Sequence, residues 1–178
     1  MHFLIVVGST REGRQTGHAA RAVKKMFDRE HETELFDLKE KNIPFLGSRT
    51  YTDEGEPPED IREFSEKVRG TDCVVIVSPE YNHSIPGVLK NALDYLYPEY
   101  DDKPFCYVTT SGGGFGGVRA LSHLHDITLA LGGHPGPNLP ISNVGDAFDD
   151  KGKIMDEEYR RRLKDYVEDS AEHAERFQ

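Results

Sequence analysis

The stretch Phe3-Leu4-Ile5-Val6-Val7-Gly8-Ser9-Thr10-Arg11-Glu12-Gly13-Arg14-Gln15-Thr16 sets the class of this chain. It opens with five apolar residues that read as a strand and continues as a loop of small and hydroxyl-bearing residues around two arginines. Beyond the loop, Ala19, Ala20, Val23 and Phe27 recur at helical spacing. Strand, polar loop and helix in this order form the first half of a parallel βαβ unit.

The same alternation continues along the chain. Glu34 to Leu38 reads as a second strand, after which Pro44, Gly47, Gly55, Pro57 and Pro58 break any periodicity between Lys39 and Pro58. Ile61, Phe64 and Val68 give the segment from Glu59 to Arg69 one apolar helical face. Cys73-Val74-Val75-Ile76-Val77 is almost uninterrupted in its apolar character, which suits burial on both faces at the centre of a sheet. A loop from Ser78 to Ser84 leads to a helix over Pro86 to Tyr97, with Pro86 placed where a backbone donor is not needed. Phe105 to Thr109 reads as the fourth strand and Val118 to Leu131 as the helix after it, closed by Gly132-Gly133. Leu139 to Val144 is a weaker fifth strand. The last helix, Glu157 to Phe177, carries Tyr159, Leu163, Val167, Ala171 and Ala174 on one face. The chain, 1–178, therefore reads as one α/β domain, a three-layer sandwich around five parallel strands.

Composition narrows the function. A formal charge of −10, from 32 Asp+Glu against 22 Lys+Arg, repels polyanions and offers no basic footprint for nucleic acid or an anionic membrane. The first apolar run is too short to span a bilayer and lacks a basic flank or cleavage site, so a cytoplasmic protein is expected. The acidic runs Asp53-Glu54-Gly55-Glu56, Asp149-Asp150 and Asp156-Glu157-Glu158 read as solvated surface, with adaptation to high salt as a second reading. The two cysteines, Cys73 and Cys106, sit in separate apolar runs without metal-site or redox-pair spacing and read as buried small hydrophobes.

In an open α/β sheet, ligands bind beyond the carboxyl ends of the strands, and three segments fall there. The first is the loop from Gly8 to Thr16. Its amides at a helix start, the hydroxyls of Ser9, Thr10 and Thr16, and the Arg11 guanidinium suit a dianionic phosphate, whereas the plain alternative is a surface turn with a cap. It has neither the Gly-Lys-Ser/Thr end of a P-loop nor the Gly-x-Gly-x-x-Gly of a dinucleotide fold, which favours a mononucleotide phosphate. The second, Ser78-Pro79-Glu80-Tyr81-Asn82-His83-Ser84-Ile85-Pro86-Gly87, offers edge polar groups and an aromatic face to a flat heteroaromatic ligand, or else is a loop ending in a helix cap. Taken singly, His83 reads as an exposed loop residue and Glu80 as a solvated acid. The third, Thr110-Ser111-Gly112-Gly113-Gly114-Phe115-Gly116-Gly117, lets backbone amides approach a ligand closely and opens directly into a helix.

Together these segments resemble the NADPH-dependent FMN reductase family, the flavodoxin-like group that includes quinone, chromate and azo-dye reductases. The motifs are Gly-Ser-x-Arg with a downstream Gly-Arg-x-Thr, Ser-Gly-Gly-Gly-x-Gly-Gly, and, most diagnostic, Pro-Glu-Tyr-Asn-x-Ser-x-Pro-Gly-x-Leu-Lys-Asn-Ala-x-Asp at Pro79 to Asp94. The resemblance implies a flavodoxin-like parallel sheet of order 2-1-3-4-5. It implies that Ser9, Arg11, Gln15 and Thr16 contact an FMN phosphate. Pro79, Glu80, Tyr81 and Asn82 are then expected to line the isoalloxazine with Ser84 close by, and Ser111, Gly112 and Gly113 to approach its pyrimidine edge. Gln15 departs from the family pattern. Leu89, Lys90, Asn91 and Leu93 correspond to a helix at a family dimer interface, or to an ordinary amphipathic helix.

The activity implied is transfer of electrons from NADPH or NADH through FMN to a small acceptor such as a quinone, azo compound, metal oxyanion or free flavin, in a homodimer or homotetramer. No catalytic side chain and no metal are expected, because the flavin N5 carries the chemistry. Two other classes compete: a flavodoxin-type electron carrier, disfavoured because the first loop lacks a Thr-Gly-Asn-Thr type of grip, and a phosphoacceptor receiver, disfavoured because the first strand ends in Gly8-Ser9 and not in acids. Arg14 reads as a solvent-exposed arginine or as a partner for the 2′-phosphate of NADPH. The acidic loop from Arg49 to Glu59 is expected to reach a neighbouring subunit's flavin.

Overall fold

In the computed structural model, residues 1–47 and 56–178 are described. The loop expected to cover a neighbouring flavin therefore falls largely outside the described residues. Five strands, β1 (His2–Val7), β2 (Glu32–Asp37), β3 (Cys73–Pro79), β4 (Pro104–Thr110) and β5 (His134–Ile141), form a wholly parallel sheet of order β2-β1-β3-β4-β5. Helices α1 (Thr16–Phe27), α2 (Glu59–Gly70), α3 (Gly87–Asp94), α4 (Val118–Ala130), α5 (Val144–Ala147) and α6 (Glu157–Glu175), with short 3-10 turns over Leu38–Glu40 and Pro98–Tyr100, complete the described elements.

Alternation along the central strands divides the apolar residues between two layers. Phe3, Ile5 and Val7 of β1, Cys73, Val75 and Val77 of β3, and Cys106 and Val108 of β4 pack with α1 and α6. Leu4, Val6, Val74, Ile76, Phe105 and Tyr107 pack on the other face with α2, α3 and α4. Every residue of β3 and β4 is buried, whereas the edge strands β2 and β5 are only partly so. Burial on both faces is why β3 lacks any polar alternation until Ser78.

The fifth strand starts five residues earlier than its apolar pattern indicates, at His134 and not at Leu139. Pro135, Gly136 and Pro137 mimic a loop in sequence, but β5 is an edge strand paired only with β4, where the missing proline donors cost no ladder bond. The third helix is shorter than its pattern: α3 ends at Asp94, and a 3-10 turn over Pro98–Tyr100 follows it. Leu89 and Leu93 of α3 are buried in their own chain's core, Lys90 pairs with Asp94 at 2.6 Å, and Asn91 holds Leu46 N and Pro44 O. The two leucines are thus not available to a partner subunit. Cys73 and Cys106 are both fully buried, and strand pairing brings their Sγ atoms to 3.6 Å, with burial pushing the Cys73 thiol up. Among the described residues, no helix is long and apolar enough to cross a membrane.

Candidate functional site

The chain runs from β1 outward to β2, then crosses back to β3 and on to β4 and β5, so its order reverses between β1 and β3. A crevice opens at such a reversal beyond the strand ends. Gly8 sits there, its amide bonded to the Val77 carbonyl at 2.9 Å; a Cβ at Gly8 would lie 2.7 Å from Leu89 Cδ2, so a larger residue would push the buried Leu89 side chain of α3 aside. Ser9 is fully buried, and its hydroxyl meets the Tyr81 hydroxyl at 2.8 Å, tying the first loop to the second. Arg14 is neither solvent-exposed nor free for a nicotinamide phosphate. Its side chain is 10% exposed, donates to the Ser9 carbonyl, and pairs bidentately with Asp37 at the end of β2. This fork closes the loop onto the sheet.

The start of α1 has no side-chain cap and no acidic residue in its first turn. The amides of Thr16 and Gly17 find no acceptor among the described residues. Orphan donors at a positive helix end, beside Arg11 and with Thr16 Oγ1 3.2 Å from Thr110 Oγ1, suit a phosphate group.

The second loop begins with Pro79 at the end of β3 and turns sharply at Asn82 and His83, both with positive φ of 48° and 65°. Tyr81 and Ser84 exchange amide–carbonyl bonds of 2.9 and 3.0 Å across them. This is a type I′ turn, which demands the left-handed region at both central positions. Glycine suits the second position better than histidine. Changing His83 to glycine is therefore expected to raise stability by about 0.5–1 kcal/mol, seen as an upward shift of roughly 1–4 °C in Tm. A lower Tm would mean that His83 makes a contact worth more than the backbone strain.

Glu80 is not a solvated acid. Its side chain is 13% exposed, and it accepts from the Arg119 amide at 3.1 Å while facing the Arg119 guanidinium at 3.5 Å. It thus caps the N-terminus of α4, the helix that follows the glycine segment. Ser84 Oγ contacts His123 Nδ1 at 2.8 Å, on the side of α4, and Asn82 and His83 are exposed.

The glycines of the third loop divide into two kinds. Gly116 and Gly117 have φ of +62° and +82°, and Cβ atoms there would lie 2.8 Å from Pro140 Cβ and 3.0 Å from Thr109 Cβ. They are needed for packing against β4 and β5. Gly112, Gly113 and Gly114 face open space, with nothing within 4 Å of a Cβ added there. The carbonyls of Ser111, Gly113 and Gly114 are held by Val144 N, Asn143 N and Ser142 Oγ, but the amides of Gly112 and Gly113 donate to no described residue. The Ser111 carbonyl, held by Val144 N, shares a peptide plane with the Gly112 N–H, which therefore points the opposite way, free for the acceptor edge of a heteroaromatic ring.

Between the three loops is a hollow of about 240 Å³. Arg11, Gln15 and Thr16 line it from the first loop, Pro79, Glu80 and Tyr81 from the second, and Ser111 and Gly112 from the third. Ser9 lies beneath it through Tyr81 and Gly113 is the next residue along, while Asn82 and Ser84 do not line it. Thr110, which opens the third segment, and Val144, expected at the end of the fifth strand, line it as well, though neither is expected from sequence to contact the ligand. Thr110 had a signal, since it ends β4 just before Ser111; Val144 had none, because α5 is a single turn. Arg14, Asp37 and Arg119 support the loops through contacts that no local pattern encodes. A larger hollow of about 440 Å³ along β5 and α6 is lined by Arg162, Asp165, Asp169 and Glu172 and lies away from the strand-end loops.

Three comparisons bear on this geometry. Residues 1–145 match the family described as NADPH-dependent FMN reductase. An NAD(P)H-dependent FMN reductase of Pseudomonas aeruginosa is 32% identical over 169 residues, covering 92% of this chain and 89% of that protein. A quinone reductase of Escherichia coli K12 is 35% identical over 135 residues, covering 74% of this chain and 71% of that one. Among solved structures, the flavoenzyme NAD(P)H:(acceptor) oxidoreductase FerB from Paracoccus denitrificans superposes with a TM-score of 0.83 at 23% identity, over 99% of this chain and 98% of that one, a likeness of fold. The uncapped helix start, the unused glycine-loop amides and the family match agree, and the chain belongs to the NADPH-dependent FMN reductase family of oxidoreductases.

Proposed function

We propose that the chain holds FMN across its three strand-end loops and passes electrons from NADPH or NADH to a small acceptor, a quinone, azo compound, metal oxyanion or free flavin. The observation that carries this reading is that Thr16 and Gly112, each with an unused amide and each followed by a residue whose amide is also unused, line one hollow from opposite loops. In this reading the amides of Thr16 and Gly17, the Thr16 hydroxyl and the Arg11 guanidinium grip the phosphate, with Ser9 and Gln15 beside them. Pro79, Glu80 and Tyr81 border the ring, with Asn82 and Ser84 farther along the turn. Bound FMN supplies hydride acceptance and donation at N5. The Gly112 and Gly113 amides donate to the pyrimidine edge, beside Ser111, and stabilise negative charge there as an oxyanion hole does. No side-chain nucleophile is required.

The visible spectrum of the purified protein tests the reading first. It is expected to show flavin absorbance, as isolated or after FMN is added, and a protein that stays colourless would end it. Stopped-flow mixing with NADPH is expected to bleach that absorbance, and initial-rate plots against nicotinamide and quinone are expected to be parallel, because both occupy one face in turn. Intersecting lines would argue for simultaneous binding. Failure to bleach would favour the electron-carrier alternative. Arg11→Ala should weaken FMN binding roughly 3- to 10-fold, a charge-assisted contact discounted for the exposure of Arg11. Unchanged affinity in a fluorescence titration would remove Arg11 from the phosphate grip. Assembly as a homodimer or homotetramer belongs to the same reading and is checked by the solution mass.

A further inference from the structure

A separate hollow of about 220 Å³ lies along the end of α1 away from the strand-end loops. Its floor is apolar: Ala22, Met26 and Ile154, exposed by 1%, 6% and 8%. Its rim carries Lys25 and Arg29 from α1 and the residues after it, Lys153 from the segment before α6, and Arg160 from α6. None of the residues lining it is acidic, in a chain with 32 acidic and 22 basic residues. Three separate elements converge to place four cations around one apolar floor.

The walls are fixed. Gly152, at φ +72°, lies so close to α1 that a Cβ there would meet Arg21 Cβ at 2.6 Å. Arg21 donates to the Asp150 carbonyl at 2.8 Å, Lys25 to the Lys151 carbonyl at 2.7 Å, and Arg160 to the Ile154 carbonyl at 3.2 Å. Phe148 and Ile154 pair across the turn between them. The acids nearby are engaged or face elsewhere. Glu157 pairs with Arg160 at 3.0 Å, Asp149 accepts from the amides of Lys151 and Lys153 while its charge also attracts the Lys153 and Lys25 ammonium groups, and Glu30 and Glu168 border an adjoining hollow that shares Met26 and Arg29. Arg29 and Lys153 form no side-chain ion pair or hydrogen bond among the described residues.

We propose that this hollow binds a small organic anion, a phosphate or carboxylate borne on a single apolar ring. The anion draws Arg29 and Lys153, the two rim cations whose side chains form no hydrogen bond or close ion pair, with Asp149 the acid that competes for Lys153, and the ring covers Ala22, Met26 and Ile154. The volume sets the size, since it falls below the roughly 300–1,000 Å³ of pockets for drug-sized ligands. Neither the flavin nor the nicotinamide is needed for this assignment, because the loops from Gly8 to Thr16 and from Ser111 to Gly117 contribute nothing to the hollow.

The test is an amide NMR titration of the FMN-loaded protein with phenyl phosphate, benzoate and, as a neutral control, benzyl alcohol. Phenyl phosphate or benzoate is expected to shift Gly152, Lys153 and Ile154 saturably, with a Kd of about 1 mM or tighter. Raising the ionic strength should weaken the binding severalfold. Arg29→Ala and Lys153→Ala, both at exposed positions, should each weaken it roughly 3- to 10-fold while leaving NADPH oxidation unchanged. Three results would each overturn the proposal: no saturable shift, benzyl alcohol binding as well as the anions, or affinity unmoved by both Arg29→Ala and Lys153→Ala. Shifts confined to the loop from Ser9 to Thr16 would show binding at the flavin site alone and would also count against it.

Discussion

Asp37→Ala is expected to cost about 3–5 kcal/mol of stability, because it leaves the Arg14 guanidinium buried without its carboxylate. The two side chains are 10% and 7% exposed and meet through a two-pronged contact, so water cannot take the place of the lost partner. The thermal midpoint should fall by roughly 10 °C. The same change releases the Ser9 carbonyl that Arg14 holds, and FMN affinity should fall along with stability. Lys39→Ala provides the contrast. It removes a pair with Glu12, which is 92% exposed, and should shift stability by no more than about 0.5 kcal/mol. Calorimetry and an FMN titration on the two variants check both statements. Equal, small effects would mean that the loop is held by its other contacts, such as the Ser9–Tyr81 bond.

Gly116→Ala is expected to destabilise the chain by about 2–5 kcal/mol, combining a left-handed backbone with overpacking. The added methyl would sit 2.8 Å from Pro140 Cβ and 3.0 Å from the Ile141 amide nitrogen, and the backbone there cannot yield as a flexible side chain would. Gly113→Ala should behave in the opposite way. Its methyl meets nothing within 4 Å, so the thermal midpoint should barely move, while FMN binding weakens because the methyl enters the space offered to the ring. If Gly113→Ala binds FMN as tightly as the parent protein, the outward amides of the glycine loop do not face the ring. Melting curves and flavin titrations of both variants decide the point.

These contrasts locate where local sequence stops being informative. In Ser111-Gly112-Gly113-Gly114-Phe115-Gly116-Gly117 the glycines look alike in sequence, yet the first three face open space, whereas Gly116 is pressed against β5 and Gly117 against β4. For Gly116 the difference depends on Pro140 and Ile141, which are distant in sequence and arrive through strand pairing. Glu80 shows the same limit. In its own loop it looks like a solvated acid, but it caps a helix through Arg119, 39 residues away. Arg14 looks exposed until β2 places Asp37, 23 residues on, beside it.

The sequence by itself determined the alternation of strand and helix, the central place of β3 and the three loops at the strand ends. Apolar periodicity and glycine clustering act over a few residues, and a parallel sheet covered on both faces leaves that trace wherever a strand is fully buried. Only the tertiary structure decided the early start of the edge strand β5, the buried Arg14–Asp37 fork, the Glu80 cap and the cationic hollow beside α1. Each of these joins residues from elements that become neighbours through strand order and helix packing, and the energy of an ion pair or a cap depends on burial and distance, which no local pattern carries.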